Sequence, residues 1–303
     1  MGQNPFAAID QQISLDLGGR NSRQLYERAR GESSEPLVKQ AVDRLRATVD
    51  DGDAVLLTTG FPIAGPDSPE TDGPLGTAVL AQALAALGAK PIVVVVDERT
   101  APVVAALTDQ LGIDCVIERT ASDMTPAGAA SLLDRYEPAA VIAVETPGRT
   151  ADGSYRNMAG KDITALVDPV DELFDRAADR GTLTVAVGDG GNEIGMKEVR
   201  SAVERYVDHG PTVACVTPVD QLVVAGVSNW GAYGLVAALS VGTDRQLLHR
   251  GETEQRLLEV ALEAGAVDGV TGEQTQSVDG IPGPVHARVV DLLRYCCGSV
   301  TDQ

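Results

Sequence analysis

The sequence predicts an α/β fold with three layers, in which a mostly parallel sheet is covered by helices on both faces. Short apolar runs rich in β-branched residues alternate with longer helical segments through the middle of the chain. The runs show no polar alternation, which is typical of strands buried on both faces of a sheet. Hydrophobic residues make up 44% of the 303 residues. That fraction supports a full core and excludes intrinsic disorder.

Strands and helices can be placed on this pattern. The strand candidates are residues 54–58, 91–96, 114–117, 139–144, 183–187 and 212–216. The helix candidates between them are residues 75–87, 101–111, 127–136, 170–180 and 196–207. This alternation predicts parallel strands joined by crossover helices. We expect one domain over residues 1–303, with a helical extension at residues 1–50 and an α/β core with C-terminal helices at residues 51–303.

Composition and charge exclude several classes of protein. A net charge of −20 disfavours contact with a nucleic-acid backbone, and aromatic residues at 3% are too few for base stacking. No apolar run reaches the ~18–20 residues that span a bilayer, and the N-terminus does not resemble a secretory signal. The four cysteines form no C-x-x-C pair, so a zinc site is not predicted. We expect a cytoplasmic protein that binds a small molecule, with no nucleic-acid or membrane partner.

The kind of charge is also informative. The chain has 27 Asp and 17 Glu against 20 Arg and only 4 Lys, spread along its length. Self-repulsion at this charge is screened when molar salt shortens the Debye length to ~3 Å. Abundant Asp with scarce Lys therefore favours an extreme halophile over an ordinary acidic protein.

Candidate site residues follow the predicted strands, where ligands bind in open α/β sheets. A long Pro/Gly loop at residues 60–74 holds Asp72, which is either a substrate-binding residue or a helix N-cap. Glu145 ends the fourth strand, where burial of a carboxylate requires a pair or a metal. The alternative for Glu145 is an ion pair with Arg149.

The loop after the fifth strand, GDGGNEIGM at residues 188–196, gives the sharpest signal. Its glycines permit close backbone approach, and phosphate cradling is one interpretation. However, Asp189 and Glu193 would repel a phosphate, and no P-loop lysine follows. We therefore predict a site for a hard cation, with Glu145, Asp189, Asn192 and Glu193 as its ligands. Oxygen donors favour Mg²⁺, Mn²⁺ or Ca²⁺, although chance clustering is the alternative in so acidic a chain.

Two later motifs add candidates. Ser228 and Asn229 begin an apolar helix and either face the pocket or only start the helix, while the single tryptophan, Trp230, is either core or site. Asp279 lies in a turn and either caps it or reaches inward. The three histidines are scattered, so no histidine mechanism is predicted.

These motifs together resemble the C-terminal domain of the D-glutamate cyclase family. The resemblance rests on residues 70–74 (ETDGP), Glu145 with Gly148, Tyr155 with Asn157, Met158 and Gly160, residues 188–196, residues 228–231 (SNWG) and residues 278–280 (VDG). It implies conversion of D-glutamate to 5-oxo-D-proline and water. The family and the apolar N-terminal helices also suggest a homo-oligomer.

The reaction implied by the resemblance suggests roles for the loop residues. Glu193 or Glu145 would be the general base, Arg149 a clamp for the substrate α-carboxylate, and Tyr155 a donor to the developing oxyanion. Further candidates for substrate contact are Asp72, Asn157, Gly190, Gly191, Ser228, Asn229 and Asp279. Two alternatives remain open from the residues alone: a metal-dependent phosphohydrolase or nucleotide-using enzyme, and a metabolite- or cation-binding protein without activity.

Overall fold

A computed structural model describes residues 4–119 and 124–298. The strands of its main sheet are β1 (Ala54–Thr59), β4 (Lys90–Val95), β5 (Val116–Arg119), β6 (Ala140–Val144), β7 (Leu183–Gly188) and β8 (Gln221–Val224). Two short hairpins pair β2 (Pro62–Ile63) with β3 (Ser68–Pro69) and β9 (Ser277–Val278) with β10 (Ile281–Pro282). The helices in this part of the chain are α1 (Pro5–Ile13), α2 (Ser22–Arg30), α3 (Leu37–Thr48), α4 (Pro74–Ala86), α5 (Thr100–Leu111), α6 (Pro126–Tyr136), α7 (Asp171–Asp179), α8 (Arg200–Tyr206), α9 (Gly210–Val213), α10 (Ser228–Thr243), α11 (Gly251–Glu263) and α12 (Gly283–Cys296).

The main sheet is parallel throughout, in the order β5-β4-β1-β6-β7-β8. From β1 the chain adds strands outward in one direction (β4, β5) and then in the other (β6, β7, β8), so the switch point of this doubly wound sheet lies between β1 and β6. On one side of the sheet α4 packs against α5 and α10, and on the other α6 packs against α7. The predicted three-layer α/β fold is therefore confirmed.

One predicted strand is wrong. Residues 212–216 include the end of the short helix α9 and continue as a segment outside the sheets, and the sixth strand lies at β8 instead. The apolar run is nonetheless buried, with Cys215 fully inaccessible. A continuous apolar run shows burial but cannot distinguish a strand from another buried segment. The segment connects the loops that follow β6 and β7, because the Cys215 amide donates to the Gly191 carbonyl and the Val216 amide donates to the Arg149 carbonyl.

The N-terminal extension is an integral layer of the fold. Helices α1 and α3 pack on α10, and α2 packs beside β8. The buried Asp10 carboxylate accepts hydrogen bonds from the Leu37 and Val38 amides, at 2.7 Å and 3.1 Å, and so caps α3. This packing brings the loop between α1 and α2 to the carboxyl edge of the main sheet.

A buried Trp–His pair occupies the C-terminal part of the core. Trp230 is fully buried, as the core interpretation expects, and its Nε1 donates to His286 Nδ1 at 2.9 Å. His286 Nε2 then carries the proton and faces the Ile281 carbonyl at 3.1 Å. Burial lowers the pKa of His286, because the charged imidazolium is poorly solvated there.

The buried Trp230–His286 pair makes the free energy of unfolding depend on pH. Below about pH 6.5 the unfolded chain binds a proton at His286 that the folded state resists. The free energy of unfolding should therefore be at its full value above that pH and fall as the pH drops. Urea titrations at pH 7.5 and 5.5 should show a smaller acid loss for His286→Gln than for wild type. His209→Asn, which removes an exposed imidazole, is the control; equal acid loss in wild type and His286→Gln would contradict the prediction.

None of the helices within residues 4–119 and 124–298 combines the length and the apolar character that a membrane crossing requires.

Candidate functional site

A cavity of about 310 Å³ opens at the carboxyl edge of the sheet, beside the switch point. Its apolar lining residues are Phe61, Pro62, Ile63, Ala64, Met158 and Val270. Its charged and polar lining residues include Arg20, Glu70, Glu145, Asp189, Asn192, Glu193 and Asp279. The loops after β1, β6 and β7 thus converge, as their positions in the sequence predict.

The glycine-rich loop after β7 is braced by its own glutamate. The Glu193 carboxylate accepts hydrogen bonds from the Gly190 and Gly191 amides, at 2.9 Å and 2.7 Å. A Cβ at Gly190 would lie 2.8 Å from the Met158 sulfur, so any other residue there would displace that side chain. A Cβ at Gly191 (φ 120°) would lie 2.5 Å from a Val203 methyl. The amides of Gly190 and Gly191, which the sequence offers for substrate contact, therefore point to Glu193.

Asn192 extends from this loop into the cavity. Its Nδ2 donates to the Arg156 carbonyl at 2.8 Å. Its Oδ1 is buried and has no hydrogen-bond partner among the described residues. A buried acceptor without a donor is costly, so this oxygen is suited to a ligand that supplies positive charge.

Glu145 directly follows β6 and lines the cavity. It is 6% exposed, and its Oε2 accepts a hydrogen bond from Ser228 Oγ at 2.6 Å. Its backbone has a φ of 45°, a left-handed conformation that is unfavourable for a residue with a side chain. Asp279, which also lines the cavity, has a φ of 55°. Two site carboxylates are thus held by strained backbone.

Arg149 and Tyr155 are not brought to the cavity. Arg149 instead pairs with Asp175 at 2.5 Å, so Glu145 does not form the ion pair with Arg149 that the sequence left as an alternative. The Tyr155 hydroxyl bonds to the buried Asp171, which also accepts from Thr217 Oγ1. These contacts anchor the loop after β6. Their position away from the cavity does not support the sequence-based roles of clamp and oxyanion donor.

Asp72 and Asn229 form a reciprocal clasp between two helix N-termini. Asp72 accepts from the Ser228 and Asn229 amides at 2.9 Å and 2.8 Å, and so caps α10. Asn229 Oδ1 in turn accepts from the Gly73 and Gly76 amides at 3.0 Å and 2.7 Å, and so caps α4. Both side chains are nearly inaccessible. Asp72 is therefore a helix cap, which is one of the two roles that the sequence offered for it. The helix that it caps is α10.

Asn157 lines the cavity but is engaged locally. Its Oδ1 accepts from the Ala159 and Lys161 amides, at 3.1 Å and 3.0 Å. It shapes the turn after β6 that carries Met158 to the cavity wall.

Arg20, in the loop between α1 and α2, is a site residue that sequence reasoning missed. Its Nη1 contacts both carboxylate oxygens of Asp189, at 3.0 Å and 2.8 Å, and its Nη2 contacts Asp279 at 2.6 Å. Arg20 is the one cationic side chain among the described residues that line the cavity. The local sequence at residues 18–20 (GGR) does not identify Arg20 as a site residue, because its partners lie 169 and 259 residues away along the chain.

The acid groups far outnumber this cation. Six carboxylates at the site are each less than 10% exposed: Glu70, Asp72, Glu145, Asp189, Glu193 and Asp279. Burial raises the pKa of Glu145 and Asp189 well above the ordinary carboxyl range and that of Asp72 to about 8. Burial alone would lower the pKa of Arg20, but Asp189 and Asp279 raise it, so Arg20 stays charged. The cluster must therefore take up further positive charge, as protons or as a cation.

Two triads of these carboxylates have the spacing of metal ligands. The ligand atoms of Asp72, Asp189 and Asp279 lie within 4.8 Å of one another, and so do those of Glu145, Asp189 and Glu193. Arg20 contacts two members of the first triad, Asp189 and Asp279, but only Asp189 of the second, so the second triad fits a cation better. Its three carboxylates are oxygen donors, and so is the unpartnered Oδ1 of Asn192 in the same cavity lining. Oxygen donors suit Mg²⁺, Mn²⁺ or Ca²⁺.

Glu70 was present in the predicted loop but was not singled out as a site residue. It is 6% exposed and lines the cavity, and its Oε1 is buried without a partner among the described residues. Burial raises its pKa well above the usual value, and the carboxylates of Asp279 and Asp72 raise it further. A buried acid outside both triads can hold a proton at the cavity wall.

Comparison with known proteins gives a family match over almost the whole chain. The family model described as "D-glutamate cyclase-like, C-terminal" matches residues 9–294. The human mitochondrial D-glutamate cyclase is 32% identical over 324 aligned positions, which cover 94% of this chain. The alignment covers 50% of that relative, so this chain spans about half of its length.

Solved structures give only a weak likeness. A levodione reductase is 14% identical, with a TM-score of 0.31 over 81% of this chain and 92% of its own. A short-chain dehydrogenase/reductase from Serratia marcescens is 14% identical, with a TM-score of 0.30 over 82% of this chain and 91% of its own. At such scores the likeness says nothing about function.

Proposed function

Because this chain belongs to the D-glutamate cyclase-like family, we propose that it is a metal-dependent lyase that converts D-glutamate to 5-oxo-D-proline and water. The observation that carries the proposal is the buried triad of Glu145, Asp189 and Glu193, together with the unpartnered oxygen of Asn192 in the same cavity lining. All cavity residues fall within the family match. An activity that belongs to a relative of twice the length is assigned here as a proposal.

Cyclisation makes definite demands on a site. The α-nitrogen forms a bond to the γ-carboxyl carbon, and one γ-oxygen leaves. The ammonium gives up two of its three protons, which depart with that oxygen as water. The site must hold the chain folded back, accept and return protons, and offset negative charge on the γ-carboxylate.

A divalent cation would be held by Glu145, Asp189, Glu193 and Asn192, and as a Lewis acid it would polarise the γ-carboxylate. Glu193 is held in place by the two glycine amides, and Glu145 by Ser228. Carboxylates that hold a cation are weaker bases. Glu70, which belongs to neither triad, is therefore the residue assigned to accept a proton from the α-ammonium when it is ionised. Its raised pKa makes that ionised form a stronger base.

The remaining walls suit a short amino acid. The apolar lining residues Phe61, Ile63 and Met158 would pack against the substrate methylenes and exclude water. A phosphate substrate is disfavoured, because five carboxylates and one guanidinium line the cavity. The phosphohydrolase alternative therefore receives no support from the charges of the site.

The composition bears on the conditions of any assay. We propose that the acidic surface is adapted to molar salt, since a net charge of −20 with only 4 Lys is tolerated best when screened. The assay should therefore contain molar KCl.

The direct test is turnover of glutamate. The protein is incubated with D- or L-glutamate and Mn²⁺ or Mg²⁺, and 5-oxoproline is quantified by NMR or chromatography. We expect 5-oxo-D-proline from D-glutamate, little product from L-glutamate, and loss of activity in EDTA that added metal restores. Absence of product with every divalent ion would refute the proposal. Ligand-dependent thermal stabilisation without product would instead indicate a binding protein.

A further inference from the structure

We infer that Arg20 binds the α-carboxylate of the substrate and makes the site selective for ligands with a free α-carboxylate; the amino-acid identity of the ligand rests on the function proposed above. Arg20 is the one cationic side chain among the described residues that line the cavity. The role assigned to Arg149 from the sequence thus falls to a residue of the N-terminal layer.

The contacts of Arg20 leave part of its guanidinium available. A guanidinium has five N–H donors on three nitrogens. Nη1 and Nη2 contact Asp189 and Asp279, whereas Nε forms no hydrogen bond to residues 4–119 or 124–298. The side chain is 20% exposed although both partners are buried. The arginine is thus fixed by two carboxylates while it still faces the cavity.

The acidic lining of the cavity explains why a substrate carboxylate needs Arg20. A carboxylate that enters this cavity meets Glu70, Glu145, Glu193 and the two partners of Arg20, and like charges repel strongly away from water. Binding requires one preorganised cation, and a planar guanidinium matches a carboxylate with two parallel hydrogen bonds. The same acidic groups favour the substrate ammonium. Arg20 therefore binds the carboxylate of an amino acid, while the acidic groups of the same cavity bind its ammonium.

A purely structural role would give different results. If Arg20 only neutralised Asp189 and Asp279, its replacement would lower stability and weaken all ligands alike. If it binds the α-carboxylate, its replacement must remove the preference for D-glutamate over D-isoglutamine. In D-isoglutamine a carboxamide replaces the α-carboxylate, and the amine and γ-carboxylate are unchanged.

The experiment compares these two ligands on wild type, Arg20→Gln, Arg20→Lys and the control Arg30→Lys. Arg30 lies in the same N-terminal layer with a similar exposure of 23% and pairs with Asp10 outside the cavity. KM and kcat are measured for both ligands, dissociation constants are obtained by calorimetry, and Mn²⁺ affinity and thermal unfolding report on the site and fold.

For wild type and Arg30→Lys we expect D-glutamate to be preferred by roughly 100-fold, as for sites that pair a buried polar group with its ligand. Arg20→Gln should reduce this preference to within about threefold by raising KM for D-glutamate, and Arg20→Lys should retain an intermediate preference. Mn²⁺ affinity should change far less than the preference.

The inference is overturned if folded Arg20 variants keep the wild-type preference, or if wild type binds both ligands equally. The wild-type comparison needs no variant, so equal binding of the two ligands would overturn the inference even if both Arg20 variants unfold. Selective binding of D-glutamate without 5-oxoproline would refute the proposed lyase and leave the role of Arg20 intact.

Discussion

Asp189→Asn is expected to weaken Mn²⁺ binding by at least about 100-fold and to reduce formation of 5-oxoproline in parallel. Asp189 is fully buried and is the carboxylate shared by both acidic triads. Asparagine keeps the size of the side chain but removes one negative charge from the cation site. The same change weakens the hold on Arg20, so KM for D-glutamate should rise as well.

The measurement is a Mn²⁺ titration followed by electron paramagnetic resonance, with thermal unfolding recorded on the same samples. Asp175→Asn is the matched control, because it removes a carboxylate that pairs with Arg149 outside the cavity. That control should bind Mn²⁺ as wild type does. A folded Asp189→Asn protein with unchanged Mn²⁺ affinity would remove Asp189 from the ligand set and leave the metal proposal without its central residue.

Asn229→Ala is expected to lower the free energy of unfolding by about 2–4 kcal/mol. Its Oδ1 caps α4 through the Gly73 and Gly76 amides, and its Nδ2 donates to the Thr71 carbonyl at 3.0 Å. Alanine leaves these groups buried without partners and opens space between α4 and α10. Because the clasp also orients Asp72, which follows β1, activity should fall with stability.

Urea unfolding in molar KCl gives the free energies. Thr125→Ala, which removes an exposed N-cap of α6 that bonds to the Gly128 amide at 3.2 Å, should cost about 1 kcal/mol or less. If Asn229→Ala cost no more than this control, the clasp would not be the element that joins the two helices.

The sequence alone determined the layers and the identity of the loops at the site. Continuous apolar runs at β1, β4, β6 and β7 could be recognised because strands buried on both faces have no polar alternation. Parallel strands place their carboxyl ends at one edge, so Glu145 and Asp189 could be expected to meet there. The family, too, followed from short motifs in order along the chain.

Tertiary structure decided which polar groups face the cavity and which support it. Arg149 and Tyr155 occupy the predicted loop, yet Asp175 and Asp171 draw them away from the cavity. Arg20 comes from a layer that the sequence could describe only as helical. A local pattern reports burial and backbone preference, but the partner of a long charged side chain depends on which distant segments the core brings together.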